Sequence, residues 1–144
     1  MSDISVTAAS VKLPNDNEVI KIRGIAGATL TPGQPVYLDG TNGWKPADAD
    51  AAASGMARGL VLGDGYGGTS FASGAVVDIV CYGRVTGYAS MTPGGNVYVS
   101  LNAGALTQTA PPDSGDFIFA IGWAESASTI FVQPQITVPT ANAS

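Results

Sequence analysis

Short apolar stretches separated by turn-forming residues run along most of the chain. The stretches are about four to eight residues long and rich in Val, Ile, Tyr and Phe, and clusters of Gly, Pro, Asn and Asp recur between them. This pattern is typical of an all-β protein, because the apolar stretches favour strands and the clusters favour turns. The predicted strands are 18–25, 35–39, 43–46, 57–62, 75–82, 84–88, 96–100, 105–108, 117–124 and 129–133. One helical turn is expected at 48–53, with Asp48 as its cap.

An internal repeat relates two segments of the chain. Residues 28–38, Ala-Thr-Leu-Thr-Pro-Gly-Gln-Pro-Val-Tyr-Leu, align without gaps with residues 89–99, Ala-Ser-Met-Thr-Pro-Gly-Gly-Asn-Val-Tyr-Val, and six of the eleven positions are identical. In both copies a Thr-Pro-Gly turn precedes a Val-Tyr strand, and Gly33 and Gly94 provide the positive φ that a type II turn requires. The match extends over 28–62 and 89–125. We therefore predict two related hairpin units that close on one core as a small barrel or sandwich.

The two ends of the chain differ in composition from this repeated body, which spans 18–133. Residues 1–17 are predicted to form an extended N-terminal arm, and residues 134–144, which end in Pro-Thr-Ala-Asn-Ala-Ser, a flexible C-terminal tail. The spaced apolar residues of the arm are candidates for docking on the sheet of a partner. They are Ile4, Val6, Val11 and Leu13.

Composition limits the chemistry that the chain can perform. Ala, Gly, Ser and Thr make up 64 of the 144 residues, and the chain has six Lys and Arg, eleven Asp and Glu, and no His. His-based catalysis and His-ligated metals are therefore excluded, and six scattered cations give no footprint for nucleic acid. No apolar stretch is long enough to span a membrane, and the first residues do not form a secretory signal, so we expect synthesis in a cytoplasm. With few large apolar residues, association is expected to supply part of the stability.

Motifs that resemble catalytic or ligand sites have simpler explanations in their context. The Gly-Asp-Gly-Tyr-Gly-Gly sequence at 63–68 matches a dinucleotide fingerprint, but it leads into a β-branched run and not into a helix. Close carboxylate pairs that would suit a hydrolase or a calcium site lie in turn-like contexts, where Asp bonds to nearby backbone. These pairs are Asp16 with Glu18, Asp48 with Asp50, and Asp113 with Asp116. We expect no catalytic residue, no metal and no cofactor.

Three further features leave alternatives open. Asp78 interrupts an apolar strand and either faces water or forms an ion pair between subunits with Arg84 or Arg58. Trp44 and Trp123 either pack in a core or interface, or form a carbohydrate platform. The single cysteine of the chain is expected to be a small apolar core residue.

Taken in order, these segments resemble the small capsid decoration, or structural cement, proteins of tailed bacteriophages. The resembling stretches are Ala-Thr-Leu-Thr-Pro-Gly-Gln-Pro-Val-Tyr at 28–37, Trp-Lys-Pro-Ala-Asp-Ala at 44–49, Ala-Arg-Gly-Leu-Val at 57–61, Gly-Arg-Val-Thr at 83–86 and Thr-Pro-Gly-Gly-Asn-Val-Tyr at 92–98. The turn and the Val-Tyr strand are common in β proteins, whereas the ordered series is more specific. The resemblance covers residues 18–133, without the arm and the tail.

The resemblance implies a non-enzymatic β-barrel or β-tulip protein that decorates the virion. Such a protein is expected to be a homotrimer that binds the major capsid protein on the outer capsid surface, at threefold and quasi-threefold sites, and stabilises the expanded head. Three copies of a weak contact on a threefold site would bind with high avidity. The alternative function is a virion surface β module that binds a receptor or carbohydrate. A carboxylate-dependent hydrolase is a third possibility. Neither nucleic acid, membrane nor a small-molecule substrate is expected as a partner.

Overall fold

Strands dominate the described part of the chain, which comprises residues 3–15, 18–41, 43–64, 68–111, 116–135 and 139–141 of a computed structural model. Strands account for 44% and helices for 6%, so the all-β prediction is confirmed. The strands are β1 (Ser5–Val6), β2 (Ile20–Ile25), β3 (Pro35–Leu38), β4 (Trp44–Pro46), β5 (Gly59–Val61), β6 (Val76–Thr86), β7 (Tyr88–Ala89), β8 (Asn96–Val99), β9 (Leu106–Thr107), β10 (Phe117–Ile118), β11 (Ala120–Ala124), β12 (Thr129–Val132) and β13 (Thr140–Ala141). A 3-10 turn at Ala8–Ser10 and a short helix, α1 (Ala52–Gly55), complete the elements.

Nine of these strands form one antiparallel sheet that curls into a half-barrel. Its order is β4-β3-β5-β6-β12-β11-β8-β9, and β2 pairs with β6 beside this path. The long strand β6 joins the two halves: its first part pairs with β2 and β5, and its second part pairs with β12. In one half β3 lies between β4 and β5, and in the other half β8 lies between β9 and β11.

Matching hydrogen bonds hold the turn that precedes β3 and the turn that precedes β8. The amide of Gly33 donates to the carbonyl of Val61 at 2.8 Å, and the amide of Gly94 donates to that of Ala124 at 2.7 Å. Both glycines have the predicted positive φ, 93° and 85°. Because a side chain at this φ would be strained, glycine is required at both turns.

A glutamine side chain caps each of these turns from a different position. The amide of Thr31 donates to Oε1 of Gln34 at 3.0 Å, and the amide of Thr92 donates to Oε1 of Gln108 at 2.8 Å. In the repeat alignment Gly95 occupies the position of Gln34, so the second turn has no glutamine of its own. A Cβ at Gly95 would lie only 2.8 Å from Nε2 of Gln108, so a side chain there would hinder this cap. The second turn therefore receives its cap from the residue that follows β9.

Apolar side chains pack on both faces of the first half of the sheet. Along β5, Leu60 belongs to a larger cluster enclosed by strands from both halves, and the next residue, Val61, belongs to a smaller cluster on the opposite face. Successive strand residues point to opposite faces, which explains the alternation. The larger cluster also contains Val80, Val85, Val97, Val99, Phe119, Ile121, Ile130 and Val132, and the smaller one contains Leu30, Val36, Trp44, Val77 and Ile79. We call the face away from the larger cluster the outer face.

One strand, β6, replaces the two that the sequence predicted at 75–82 and 84–88. Gly83 lies inside it with φ 121°, and a Cβ there would contact the backbone of Glu18 at 2.7 Å. The pairing of β2 with β6 passes over Cys81, so that Lys21 pairs with Val80 and the preceding residue pairs with Tyr82. This β-bulge changes the alternation: Val80 faces the larger cluster, and Tyr82 lies on the outer face.

Both ends of the chain contact the sheet body where they are described. β1 pairs with β7, and the Asp3 carboxylate accepts hydrogen bonds from Ser100 Oγ at 2.6 Å and Asn102 Nδ2 at 2.7 Å. At the other end, β13 pairs with β10. The sequence did not predict β1 and β13, whereas the predicted strand 117–124 is divided into β10 and β11, and the predicted strand 84–88 includes the first residue of β7. The helical turn was predicted at 48–53, but α1 begins only at Ala52. Asp48 does not cap this helix; instead, Asp48 Oδ1 accepts a hydrogen bond from the amide of Asp50 at 3.0 Å.

The buried hydroxyl of Tyr88 leads to a prediction about the stability of the fold. It donates to the carbonyl of Gly33 at 2.8 Å, so Tyr88→Phe is expected to lower the free energy of unfolding by about 1–2 kcal/mol at neutral pH. Burial also raises the pKa of Tyr88, whereas an unfolded tyrosine ionises near pH 10. The stability of the wild type should therefore fall as pH rises above about 10, and urea denaturation at neutral and alkaline pH measures this fall.

The Phe variant should lose most of this alkaline dependence, because it has no phenol at this position to ionise on unfolding. Equal alkaline losses of stability in the wild type and the variant would contradict the role assigned to Tyr88. Tyr98→Phe is the matched control, since that side chain is only partly buried.

Candidate interaction surface

Four large apolar side chains form a continuous row on the outer face, across four neighbouring strands. Ile20 of β2 pairs with Tyr82 of β6, and Trp123 of β11 pairs with Phe131 of β12. The Tyr82 and Phe131 ring centroids are 5.2 Å apart at 88°, and those of Trp123 and Phe131 are 5.3 Å apart at 18°. We call these four residues the outer band.

The outer band is open to solvent. Ile20 is 61% exposed and Tyr82 43% exposed, and the other two side chains are partly exposed. Single exposed apolar residues are common on protein surfaces, but large ones in adjacent positions mark a surface that contacts another molecule. The outer band is therefore the candidate interaction surface.

Charged side chains border one side of the outer band. Nε of Arg84 lies 2.7 Å and 2.9 Å from the two carboxylate oxygens of Glu125, and Nη1 pairs with Glu18. The guanidinium also lies 5.9 Å from the centroid of the Phe131 ring. Hydrogen bonding to Glu125 is the main cause that raises the pKa of Arg84 above its ordinary value. Solvent-exposed ion pairs contribute little stability, but this network fixes the cation beside the rings.

The packing of the rings disfavours a flat carbohydrate platform. Phe131 is stacked against Trp123 on one side and carries the Arg84 guanidinium over its ring from the strand on the other side. A sugar stacks on the open face of an aromatic ring, and Trp123 already covers one face of Phe131. The outer band is better suited to contact a complementary apolar protein surface.

A second feature is the free edge of β2. Lys21 and Arg23 lie on one face of this strand, and Ile22 lies between them on the other. Nε of Arg23 is 3.2 Å from Oδ1 of Asp78, and the side chain of Arg23 remains 78% exposed. On the edge away from β6, no strand or bridge pairs with Lys21–Ile25 within the described ranges.

A cleft of about 410 Å³ lies between this strand and the segment that contains the 3-10 turn. Lys12, Lys21, Asp64 and Asp78 are its charged lining residues. Lys12 and Lys21 form no ion pair with a described carboxylate. The cleft therefore carries two unpaired cations in a chain whose net charge is -5.

The predicted docking residues lie mainly against the body of the chain itself. Val11 is buried in the larger cluster, and Ile4 and Leu13 pack against that cluster. Val6 is 43% exposed, in the strand that pairs with β7. The spacing of these four residues thus reflects packing on their own sheet, and Val6 alone presents a largely open apolar surface.

The residues predicted to form ion pairs between subunits do not come together within the chain. Asp78 pairs with Arg23, and Arg84 pairs with Glu125 and Glu18. Arg58 contacts the sulfur of Met56 at 3.6 Å, and none of the four ion pairs among the described residues includes it. Asp78 and Arg84 are therefore neutralised without a second subunit.

The two tryptophans have different environments. Trp44 is buried in the smaller cluster, where it lies over Gly24, and Trp123 is in the outer band. Of the two alternatives left open by the sequence, packing in a core is therefore the correct one for Trp44. Cys81 is partly buried against the smaller cluster, and burial raises the pKa of its thiol.

Two of the carboxylate pairs cannot be compared, because Asp16 and Asp113 lie outside the described residues. Among the residues that are described, no group of three or more Cys, Asp and Glu side chains is placed to hold a metal. The part of the chain that the structure covers also holds no helix long and apolar enough to cross a membrane. The central residues of the 63–68 motif are likewise outside the described ranges.

Sequence reasoning did not identify Ile20, Tyr82 and Phe131. The sequence does contain a signal for Phe131. It alternates with Ile130 and Val132, and because those two residues form the buried face of β12, Phe131 lies on the opposite, more open face. For Tyr82 no such signal existed, since its position depends on the bulge in β6. A comparison with protein-family models finds no match to the chain, and neither does a comparison with curated proteins.

Proposed function

We propose that this protein is a structural component of a phage virion, a cement protein that binds the outer capsid surface and stabilises the expanded head. Its partner is the major capsid protein, its own state is a homotrimer, and its role is non-enzymatic. The proposal rests on the ordered resemblance over residues 18–133 and on the outer band. The outer band carries it, because exposed adjacent rings on a rigid sheet are what a stable protein contact requires.

We further propose that the body consists of two related hairpin units, 28–62 and 89–125, within a β-barrel or β-tulip-like domain. The matching turns support this view: the amides of Gly33 and Gly94 bond to equivalent carbonyls of the third strand in each unit. Each unit then presents the same order of three strands, with its Val-Tyr strand in the middle. The segments 1–17 and 134–144 flank this domain as arm and tail.

Trimer formation and capsid binding support each other in this proposal. A threefold ring needs a contact between two different surface patches, repeated around the axis. A trimer then presents three copies of each capsid contact to a threefold site, so that weak contacts add to a strong attachment. The outer band is proposed as one of the patches within this assembly.

Substitution in the outer band tests the proposed assembly. Tyr82→Ser removes a 43% exposed ring that contacts Phe131, and it is expected to shift trimers towards monomers by at least about tenfold in dissociation constant. Val76→Ser is the matched control, because Val76 is on the same strand, is 62% exposed and lies outside the outer band. Mass photometry of both variants at several concentrations measures the effect, with circular dichroism as the test of folding.

A trimer for the wild type and Val76→Ser, with monomers for Tyr82→Ser, is the predicted result. A wild type that is monomeric at all concentrations, or a Tyr82→Ser variant that assembles as well as the control, would contradict the proposed role of the outer band.

The second candidate is a virion surface module that binds a receptor or carbohydrate, and the partial exposure of Trp123 favours it. Arg84 and its two carboxylate partners provide polar groups within the same region. A glycan array read together with tryptophan fluorescence separates the two functions. Quenching of Trp123 by a defined glycan would support the second candidate, and its absence together with trimer formation would support the first.

A further inference from the structure

We infer that the free edge of β2 is a docking site for an extended segment of another protein in which acidic and apolar residues alternate. The segment would add a strand to the sheet beside Lys21–Ile25. This edge begins next to Ile20 of the outer band, but the inference does not rest on the proposed function.

The first support is the state of the strand edge. β2 is six residues long, and its pairing with β6 is regular from Lys21 to Ile25. Among the described residues, no backbone group forms a turn, strand or bridge hydrogen bond with the opposite edge of Lys21–Ile25. An open edge of this length is a template for a further strand, which bonds through its main chain.

The other sheet edges show what a closed edge looks like. At β9, the amide of Ile4 donates to the carbonyl of Leu106 at 2.7 Å, and Asp3 forms a bridge with Thr107. At β4, the amide of Gly27 donates to the carbonyl of Trp44 at 2.8 Å. Within the described residues the chain therefore covers both ends of the main sheet path, and β2 stays open.

Charge identifies the partner. Lys21 and Arg23 project from the same face of β2, and Lys12 lines the cleft beside Lys21. Three of the six cations of the chain thus lie in one region of a protein with eleven acidic residues. Two carboxylates, Asp64 and Asp78, also line the cleft, and Asp78 pairs with Arg23. The three cations outnumber these two carboxylates, so the region keeps a net positive charge.

The opposite face of β2 is apolar, which fixes the spacing in the partner. Ile22 and Gly24 alternate with the two cations, and Ile22 pairs with Ile79 across the strands. A strand laid beside β2 presents every second side chain to each face. Its acidic residues would meet Lys21 and Arg23, and its apolar residues would meet Ile22.

A second copy of β2 is a poor occupant of the same edge. In the antiparallel pairing centred on Ile22, Lys21 of one copy lies opposite Arg23 of the other, twice in each pair. Like charges directly opposite each other destabilise a strand pair. The basic residues thus oppose self-pairing while they attract an acidic strand.

A peptide-binding experiment tests the inference. The probe is a fluorescent peptide of about ten residues that alternates Asp and Val, a length that matches the strand additions seen in peptide recognition. Two control peptides are used. One has the same composition with all Asp residues in one block and all Val residues in another, and the other is the alternating peptide with N-methyl groups on the amides that would face β2.

Fluorescence anisotropy measures binding to the full chain and to two charge-reversal variants, Lys21→Glu and Arg58→Glu. Arg58 is exposed and lies outside β2, so its variant changes the net charge equally.

The alternating peptide is expected to bind the wild type and Arg58→Glu alike, more weakly as salt rises, and about tenfold more weakly to Lys21→Glu. Both control peptides should bind far less. The inference is overturned by absence of binding at about 1 mM peptide, by equal binding of the two variants, or by equal binding of the N-methylated peptide. Binding to phage heads tests the proposed function and not the edge of β2. The peptide experiment can therefore support or overturn this inference whether or not the chain binds heads.

Discussion

Replacement of Gly122 by alanine is expected to lower the free energy of unfolding by about 3 kcal/mol, the upper part of the usual range for overpacking. A Cβ at this position would lie 2.1 Å from the carbonyl oxygen of Phe131 in the neighbouring strand. That oxygen belongs to the backbone, so no side-chain rotation relieves the contact. The strands β11 and β12 must separate, and their pairing at the centre of the sheet weakens.

Gly59 provides an independent test of the same cause. It lies in β5 next to β6, and a Cβ there would be 2.2 Å from the carbonyl oxygen of Val80. Gly59→Ala should therefore destabilise the protein to a similar degree. Gly40→Ala is the matched control, because no heavy atom lies within 4 Å of its Cβ position. Urea denaturation measures all three variants, and similar stabilities for Gly40→Ala and Gly122→Ala would contradict the close approach of the strands.

Phe119→Ala is expected to destabilise the protein by about 3–5 kcal/mol, the usual cost of truncating a buried phenylalanine. Phe119 is the largest of the fully buried side chains and packs in the larger cluster between the two halves of the sheet. Its loss leaves a cavity that the surrounding strands fill only in part. Thermal denaturation followed by circular dichroism measures the effect.

Phe131→Ala is the matched control for this prediction. The ring of Phe131 is on the outer face and partly exposed, so the same truncation should cost less stability there. Its effect should appear in assembly, because it removes the centre of the outer band. A Phe131→Ala variant that unfolds as readily as Phe119→Ala would show that the outer band belongs to the core.

Much of the strand pattern was predictable because it depends on local signals. The turns at Gly33 and Gly94 follow from Pro-Gly sequences whose backbone preferences act over two residues. In β8 the alternation gives the buried face correctly, since Val97 and Val99 lie in the larger cluster. In β3 both faces are covered, because Val36 lies in the smaller cluster and Tyr37 packs against the larger one. Seven of the predicted strands coincide with β2, β3, β4, β5, β8, β9 and β12, with differences at their ends. The eighth, 117–124, is divided in the structure into β10 and β11.

Features that depend on distant contacts were not predictable. Gly83 looked like a strand end, but β6 continues through it, and the nearby backbone of Glu18 leaves no space for a side chain at this position. The apolar spacing of the first segment predicted an extended arm with docking residues, but it did not indicate that Val11 lies in the larger cluster. Both outcomes depend on which surfaces meet in the fold, and a periodic pattern does not specify its partner.

The candidate interaction surface shows the same limit. Trp123 was singled out from sequence, but the other two rings of the outer band, Tyr82 and Phe131, are 41 and 8 residues away along the chain. They meet because β6, β12 and β11 are neighbours in the sheet and because a bulge turns Tyr82 outward. Strand order and bulges thus decide which exposed residues form a common surface.

Co-sedimentation of the purified chain with phage heads tests the central proposal most directly. Expanded and unexpanded heads are incubated with the wild type, and the amount of bound chain is measured after centrifugation. The proposed function predicts saturable binding to expanded heads, as a trimer, with little binding to unexpanded ones. A chain that remains monomeric and stays in the supernatant with both kinds of head would contradict the proposal.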